Sequence, residues 1–398
     1  MKNIFVIPVL AVIGATACWG LGANNTIQLN NTLNYHFTDN YYQINTNKTS
    51  ISSISDTPEI RANYNRENTY VGLRYAPGFQ WYLNPVGTMR QEMLSHALDF
   101  NWNQTLSPRL SFALADTLRY SDQPTEQDRN NNLLLPSQTF FENSLSGSAG
   151  IQLRQTTRLD LSGRYYVIKY EDAATASNNN YNIYSGGLTL RQEISKATSV
   201  FGTLNYDSTT YNSYSGKFER DSGTTSAGVG VDQIFSPRLV GSVSGGWQFK
   251  GFALSSIDPQ NSPYGNFSLT YMATPRLRMF ASAGYSLWEG QIEPYASQER
   301  LSSSAGVSYD ITSRLNFYVS GGLTSGKYSS SQAAAPTNSA TLNTLGGRDS
   351  IYQLNARLNY QLLRHHTVSA GYGYIAGRSD LRPDFNANTF DVSWIVSF

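Results

Sequence analysis

Cysteine is all but absent from this chain of 398 residues: Cys18 is the only one, so no internal disulfide can form. Charge is scarce as well. Lys, Arg, Asp and Glu together make up 14% of the residues, against roughly 25% in soluble domains. The 29 basic and 28 acidic side chains leave a formal charge of +1, and no lysine or arginine cluster is available for a phosphate backbone, so no nucleic-acid partner is expected. Only four histidines occur, His36, His96, His365 and His366, two in one turn and one on an apolar row. Such a scatter builds neither a metal site nor a catalytic dyad, and no G-x-S-x-G elbow is present. Gly321 to Lys327 imitates a phosphate loop, but Tyr328 stands where a Ser or Thr is required and no helix pattern follows. No enzyme, cofactor or metal is therefore expected. Beyond the N-terminus no run of about 18 apolar residues occurs, which excludes a membrane-spanning helix.

What is present is aromatic and polar without charge. There are 27 tyrosines, 18 phenylalanines and 32 glycines, and Asn and Ser are abundant. The start, MKNIFVIPVLAVIGATACWGLGAN, has a basic Lys2, an apolar stretch from Ile4 to Ile13 and then small residues, the layout of a secretory signal. Residues 1–23 are assigned to it, with cleavage after Ala17 or Ala23 and with Cys18 either discarded or a lipid attachment point. An exported chain without an apolar helix can still cross a membrane as a closed barrel, which satisfies its backbone internally.

Alternation tests that possibility. Tyr352, Leu354, Ala356, Leu358, Tyr360 and Leu362 oppose Gln353, Asn355, Arg357, Asn359 and Gln361. Phe390, Val392, Trp394, Val396 and Phe398 oppose Asp391, Ser393 and Ser397, with Ile395 the exception. Leu277 to Leu287 alternates likewise except at Phe280. Such segments read about 10 to 15 residues long, beyond the usual 5 or 6 of soluble strands, and Tyr and Trp collect near their ends as an interfacial girdle would. About 18 begin along residues 24–398, near residues 26, 57, 69, 90, 109, 141, 158, 180, 198, 220, 238, 262, 276, 298, 314, 348, 366 and 385. Asp116 breaks the parity of its segment, and a β-bulge would restore it.

Short connections punctuate this pattern. Ser107-Pro108-Arg109-Leu110, Ser236-Pro237-Arg238-Leu239 and Thr274-Pro275-Arg276-Leu277 have looser relatives at Thr156, Ser195, Thr312 and Arg364, and from Arg158 the series recurs at about 40 residues, one up-and-down pair of strands. Proline suits a turn, the preceding hydroxyl can bond the backbone, and arginine can keep its charge wet at a membrane edge. The intervening connections, Asp39 to Asp56, Ser121 to Thr139 and Gly326 to Arg348, are longer and polar. Short turns on one side and long loops on the other are the asymmetry of outer-membrane barrels, the short side being periplasmic.

The terminal TFDVSWIVSF, closing on Phe398, resembles the C-terminal signature that bacterial outer-membrane proteins present to their assembly machinery. The layout as a whole resembles porin-type β-barrel families associated with exopolysaccharide export. The resemblance implies an integral outer-membrane protein whose partners are membrane lipid, the assembly machinery acting on Phe398, and a polysaccharide in one reading.

The fold expected is thus all-β: one transmembrane antiparallel up-and-down barrel of about 18 strands (16 to 18). Such barrels leave an aqueous channel, and parity points Arg61, Arg74, Asp99, Arg164, Lys250, Arg278, Asp310, Arg357 and Asp391 into it. The nearly balanced signs argue against strong ion selectivity. The leading function is a channel for small hydrophilic solutes. A conduit for exopolysaccharide export and a structural or adhesive barrel displaying its loops are the alternatives.

Overall fold

Eighteen strands form in a computed structural model of the chain, which describes residues 25–86, 90–121, 139–173, 176, 179–211, 220–290, 292, 295–329 and 346–398. The signal assignment with Cys18, and most of the Ser- and Ala-rich segment after Ser329, lie outside these residues. In chain order the strands are β1 (Thr26–Thr38), β2 (Ile51–Arg66), β3 (Thr69–Tyr82), β4 (Glu92–Ser107), β5 (Leu110–Ser121), β6 (Phe140–Arg154), β7 (Thr157–Tyr170), β8 (Tyr181–Ser195) and β9 (Thr198–Tyr211). They continue as β10 (Ser222–Ser236), β11 (Leu239–Phe252), β12 (Gln260–Thr274), β13 (Leu277–Glu289), β14 (Ser297–Asp310), β15 (Leu315–Tyr328), β16 (Gly347–Leu363), β17 (His366–Ser379) and β18 (Phe385–Ser397). Each pairs antiparallel with the next. β18 returns to β1 from Asn30↔Ser397 to Thr38↔Thr389, so the sheet has no free edge.

Period two divides every strand between two solvents. Leu33, Leu73, Leu204, Val243, Phe267, Leu354, Val392 and Trp394 lie exposed on the outer face, where lipid covers them. Between them Ser, Thr, Asn and Gln point inward. Phe280, the exception noted in the sequence, does face inward, and its ring stacks on Tyr318 at 6.3 Å.

Near the end with the longer connections the inward face gains buried apolar clusters among its polar and charged side chains. Phe140, Tyr166, Ile168, Tyr170 and Tyr181 form one buried cluster, Tyr41, Ile51, Tyr82 and Met93 a second, and Ile351, Ile375, Phe385 and Ala387 a third. This change explains one error of the sequence reading. β2 starts at Ile51, not near residue 57, because Ile51 is an inward apolar residue among serines, where alternation predicts an inward polar one.

A second correction concerns Asp116. No bulge relieves it: β5 runs in unbroken register past Phe100↔Asp116 and Asp116↔Leu145. Asp116 therefore stays on the outer face between Leu114 and Leu118 and is held by Asn143 Nδ2 at 2.7 Å. Irregularity lies elsewhere. The β2/β3 ladder is interrupted between Asp56↔Phe79 and Ile60↔Tyr75, where Pro58 and Pro77, neither with an N–H to donate, stand opposite each other.

The repeated SPRL stretches close the short turns. The hydroxyl oxygens of Ser107, Ser236, Thr274 and Thr312 accept from the backbone N–H of Arg109, Arg238, Arg276 and Arg314 at 3.2 to 3.3 Å. The carbonyl at the end of each turn then accepts from the following hairpin. Arg109 O receives Gln152 N at 2.8 Å, Arg238 O receives Met272 N at 2.8 Å, and Arg276 O receives Asp310 N at 2.9 Å. The turns thus link neighbouring hairpins along the rim, and Phe398 completes the closure through paired backbone bonds with Leu29 at 2.8 and 3.1 Å.

Candidate functional site

The inward face carries charge unevenly, and its charges come in pairs. On one side Arg61 and Arg74 stand directly opposite each other across β2 and β3, and Asp99 follows on β4. Two like charges in register repel. Glu59, one inward position along β2, resolves the conflict: its carboxylate accepts from Arg61 Nε and Arg74 Nε at 2.5 Å each and from Asn30 Nδ2 at 2.8 Å. Arg74 Nη1 also donates to Asp99 at 2.8 Å. Two arginines and two carboxylates sum to zero.

Arg357 and Asp391 make a second neutral pair, although a strand separates them. Arg357 lies opposite Gly371, and Gly371 opposite Asp391. A Cβ on Gly371 would come within 2.5 Å of the Asp391 carboxylate, so glycine leaves the path over which Arg357 reaches Asp391 at 2.9 Å. These residues share a cavity of about 630 Å³ with His36 and the Glu59 group. Arg191 makes a second such reach, across β9, stacking on Phe201 at 4.8 Å and pairing with Asp232.

The remaining predicted residues are dispersed. Arg164 lies over Tyr166 at 5.1 Å and lines a cavity of about 570 Å³ with Asp207, Asn205 and Gln248. Lys250 is 2% exposed and paired with Glu289, close to the long-connection end of β11 and away from the Arg61 group. Arg278 is exposed near the short-turn end of β13, and Asp310 accepts from Asn316 Nδ2 at 2.8 Å. Phe398, predicted as the assembly signal, stacks on His365 at 5.6 Å.

Glu59 was missed by sequence reading. Its parity with Arg61, two residues on, was the available signal. Beside the Arg357 pair, along β12 to β16, is a stretch of wall without charge. A cavity of about 460 Å³ there is lined by Asn266, Ser282, Ser286, Ser302, Ser304 and Gln353 among others, with no ionisable side chain in the lining.

Comparison with solved structures places this fold among outer-membrane proteins. OpdK of Pseudomonas aeruginosa, solved with vanillate, superposes with a TM-score of 0.51 at 12% identity, covering 94% of this chain and 99% of that one. OccK2 (OpdF) of the same organism, in complex with glucuronate, gives 0.51 at 10% identity with 94% and 98% covered. At such identity the likeness is one of fold. No curated protein sequence matches the chain. The sequence model described as Putative beta-barrel porin 2 matches residues 26–398, and the chain belongs to that family of integral outer-membrane barrels.

Proposed function

We propose that the barrel passes small, uncharged hydrophilic solutes by diffusion. The carrying observation is the charge-free wall of Ser, Asn and Gln beside arginines that already hold carboxylates. Hydroxyl and amide groups exchange hydrogen bonds with a sugar or polyol at little net cost, and wall charges that cancel attract neither ion strongly. Vanillate and glucuronate, with which OpdK and OccK2 were solved, are carboxylates. A carboxylate entering here would compete with Glu59, Asp99 or Asp391 for arginine. Liposome swelling with the purified protein tests this: neutral sugars are expected to enter faster than carboxylates of equal size. Faster carboxylate entry would refute the proposal.

Export of a polysaccharide is a second reading, favoured by the inward stacked pair Phe280 and Tyr318, a surface on which a sugar ring can lie. Unchanged surface polysaccharide after deletion of the gene would count against it.

A further inference from the structure

Eight short turns join the strands at the end where Thr26 and Phe398 lie, the periplasmic end. Their sequences differ, yet every one carries a cation. Four donate their own N–H to the hydroxyl cap of the turn: Arg109, Arg238, Arg276 and Arg314, while the Ser195 cap of the Lys196 turn takes Ala197 N. The other four, Arg66, Arg154, Lys196 and Arg364, stand in or beside turns of other sequence. All eight are exposed, and none forms an ion pair among the described residues. Glu67 lies within these turns and Asp310 beside one, so eight cations less two carboxylates leave +6 on the rim.

Turn chemistry does not account for the recurrence. The caps use only the backbone N–H of the arginine, which any residue but proline supplies. The four unlike turns keep a cation without the SPRL pattern. What is common to all eight is charge at one height.

That height is the edge of the hydrocarbon. Bulged apolar residues just before the turns, Leu106, Leu153, Ile194 and Phe235, stand exposed on the outer face, with the cations a few residues beyond them. With strands about 4.8 Å apart and tilted about 40°, a turn at every second strand sets the cations roughly 12 Å apart. That is too far for one small anion to bridge two of them. It suits separate anions arranged around a circle, whereas a folded partner would meet one sector only.

We propose that this rim binds anionic phospholipid headgroups of the periplasmic leaflet, one or more per turn. Trp102 and Trp394 are built-in reporters: both lie on outward rows near that end of β4 and β18. The full-length protein, with Trp81 and Trp247 replaced by Phe, is reconstituted in phosphatidylcholine vesicles containing brominated phosphatidylglycerol or brominated phosphatidylcholine, and tryptophan quenching is compared.

The expected preference for phosphatidylglycerol is about fivefold for a cation at an anionic surface, declining as salt is added. Replacing Arg66, Arg109, Arg154, Lys196, Arg238, Arg276, Arg314 and Arg364 by Gln should bring it close to parity, and replacing the seven arginines by Lys should retain it. Equal quenching by the two lipids in the parent protein, or a preference that survives the Gln variant, overturns the proposal. So does loss of the preference in inorganic phosphate beyond that in chloride of equal ionic strength, because the rim would then be a site for soluble phosphate.

Discussion

Neutralising Glu59 tests whether the paired charges govern what the lumen admits. Its side chain is 10% exposed and holds Arg61 and Arg74 at 2.5 Å. Glu59→Gln keeps its shape and removes one negative charge from a group that sums to zero. The wall becomes +1. At about 8 Å in a water-like medium a unit charge acts on a passing ion with roughly 0.5 kcal/mol, about a factor of two for each sign, so the anion-to-cation permeability ratio should rise about fivefold. Salt weakens this, since the Debye length falls from about 10 Å at 0.1 M to about 3 Å at 1 M. Arg61 and Arg74 have side chains 47% and 35% exposed, so water takes up their freed donors and the barrel should fold. The assay is the reversal potential in planar bilayers across a KCl gradient. A value near zero is expected for the parent and an anion-directed shift, larger at low salt, for the variant. An unchanged potential from a folded variant would remove Glu59 from the conduction path and refute the argument.

Three further outcomes follow from the walls and turns. Replacing Ser107, Ser236, Thr274 and Thr312 by Ala removes one exposed cap each, at about 0.5 to 1 kcal/mol apiece, and urea titration of the barrel in lipid should show a loss of roughly 2 to 4 kcal/mol. Asp116→Leu removes a carboxylate from the lipid face and should stabilise by about 1 to 2 kcal/mol; a loss of stability in the same titration would mean that something other than lipid contacts this position. The third concerns pH. Asp384, in the connection between β17 and β18, accepts from Ser379 N at 3.0 Å and Arg378 Nη1 at 2.8 Å, and these bonds, the backbone one foremost, hold its carboxyl below the ordinary value of 3.8. A depressed value contributes order above pH about 4 that is lost as pH falls through the lowered range. Amide exchange of residues 379–384 should accelerate below that pH in the parent and at all pH values in Asp384→Asn.

How much of this was legible depended on distance along the chain. Strand number and most strand starts follow from period two, because lipid on one face and water on the other impose a local rule that each segment obeys alone. The rule fails where the inward solvent changes, as at Ile51, and where one side chain disobeys it without consequence for register, as at Asp116. Pairing was not legible. Arg357 reaches Asp391 because β16, β17 and β18 align Gly371 between them, a fact of three segments that none of them states. Glu59 belongs to a group assembled from β1, β2, β3 and β4. Lys250 shows the opposite failure: parity sets its strand face, but its burial at 2% beside Glu289 is beyond anything local.

The same arrangement separates two kinds of selection along the axis. Toward the extracellular end the inward side chains are packed, with apolar Phe140 and Tyr166 at 0% exposure beside the buried charges of Glu142, Lys250 and Arg300. The packed rings offer a solute few hydrogen bonds and discriminate by size and by the cost of shedding water. Below them the Glu59 and Arg357 groups discriminate by sign. Effects of substitutions more than about 10 Å apart without shared partners usually add, so enlarging the mouth at Phe140 and neutralising Glu59 should change solute size limit and ion preference independently. Ion preference that shifted with Phe140→Ala alone would show the two filters to be one.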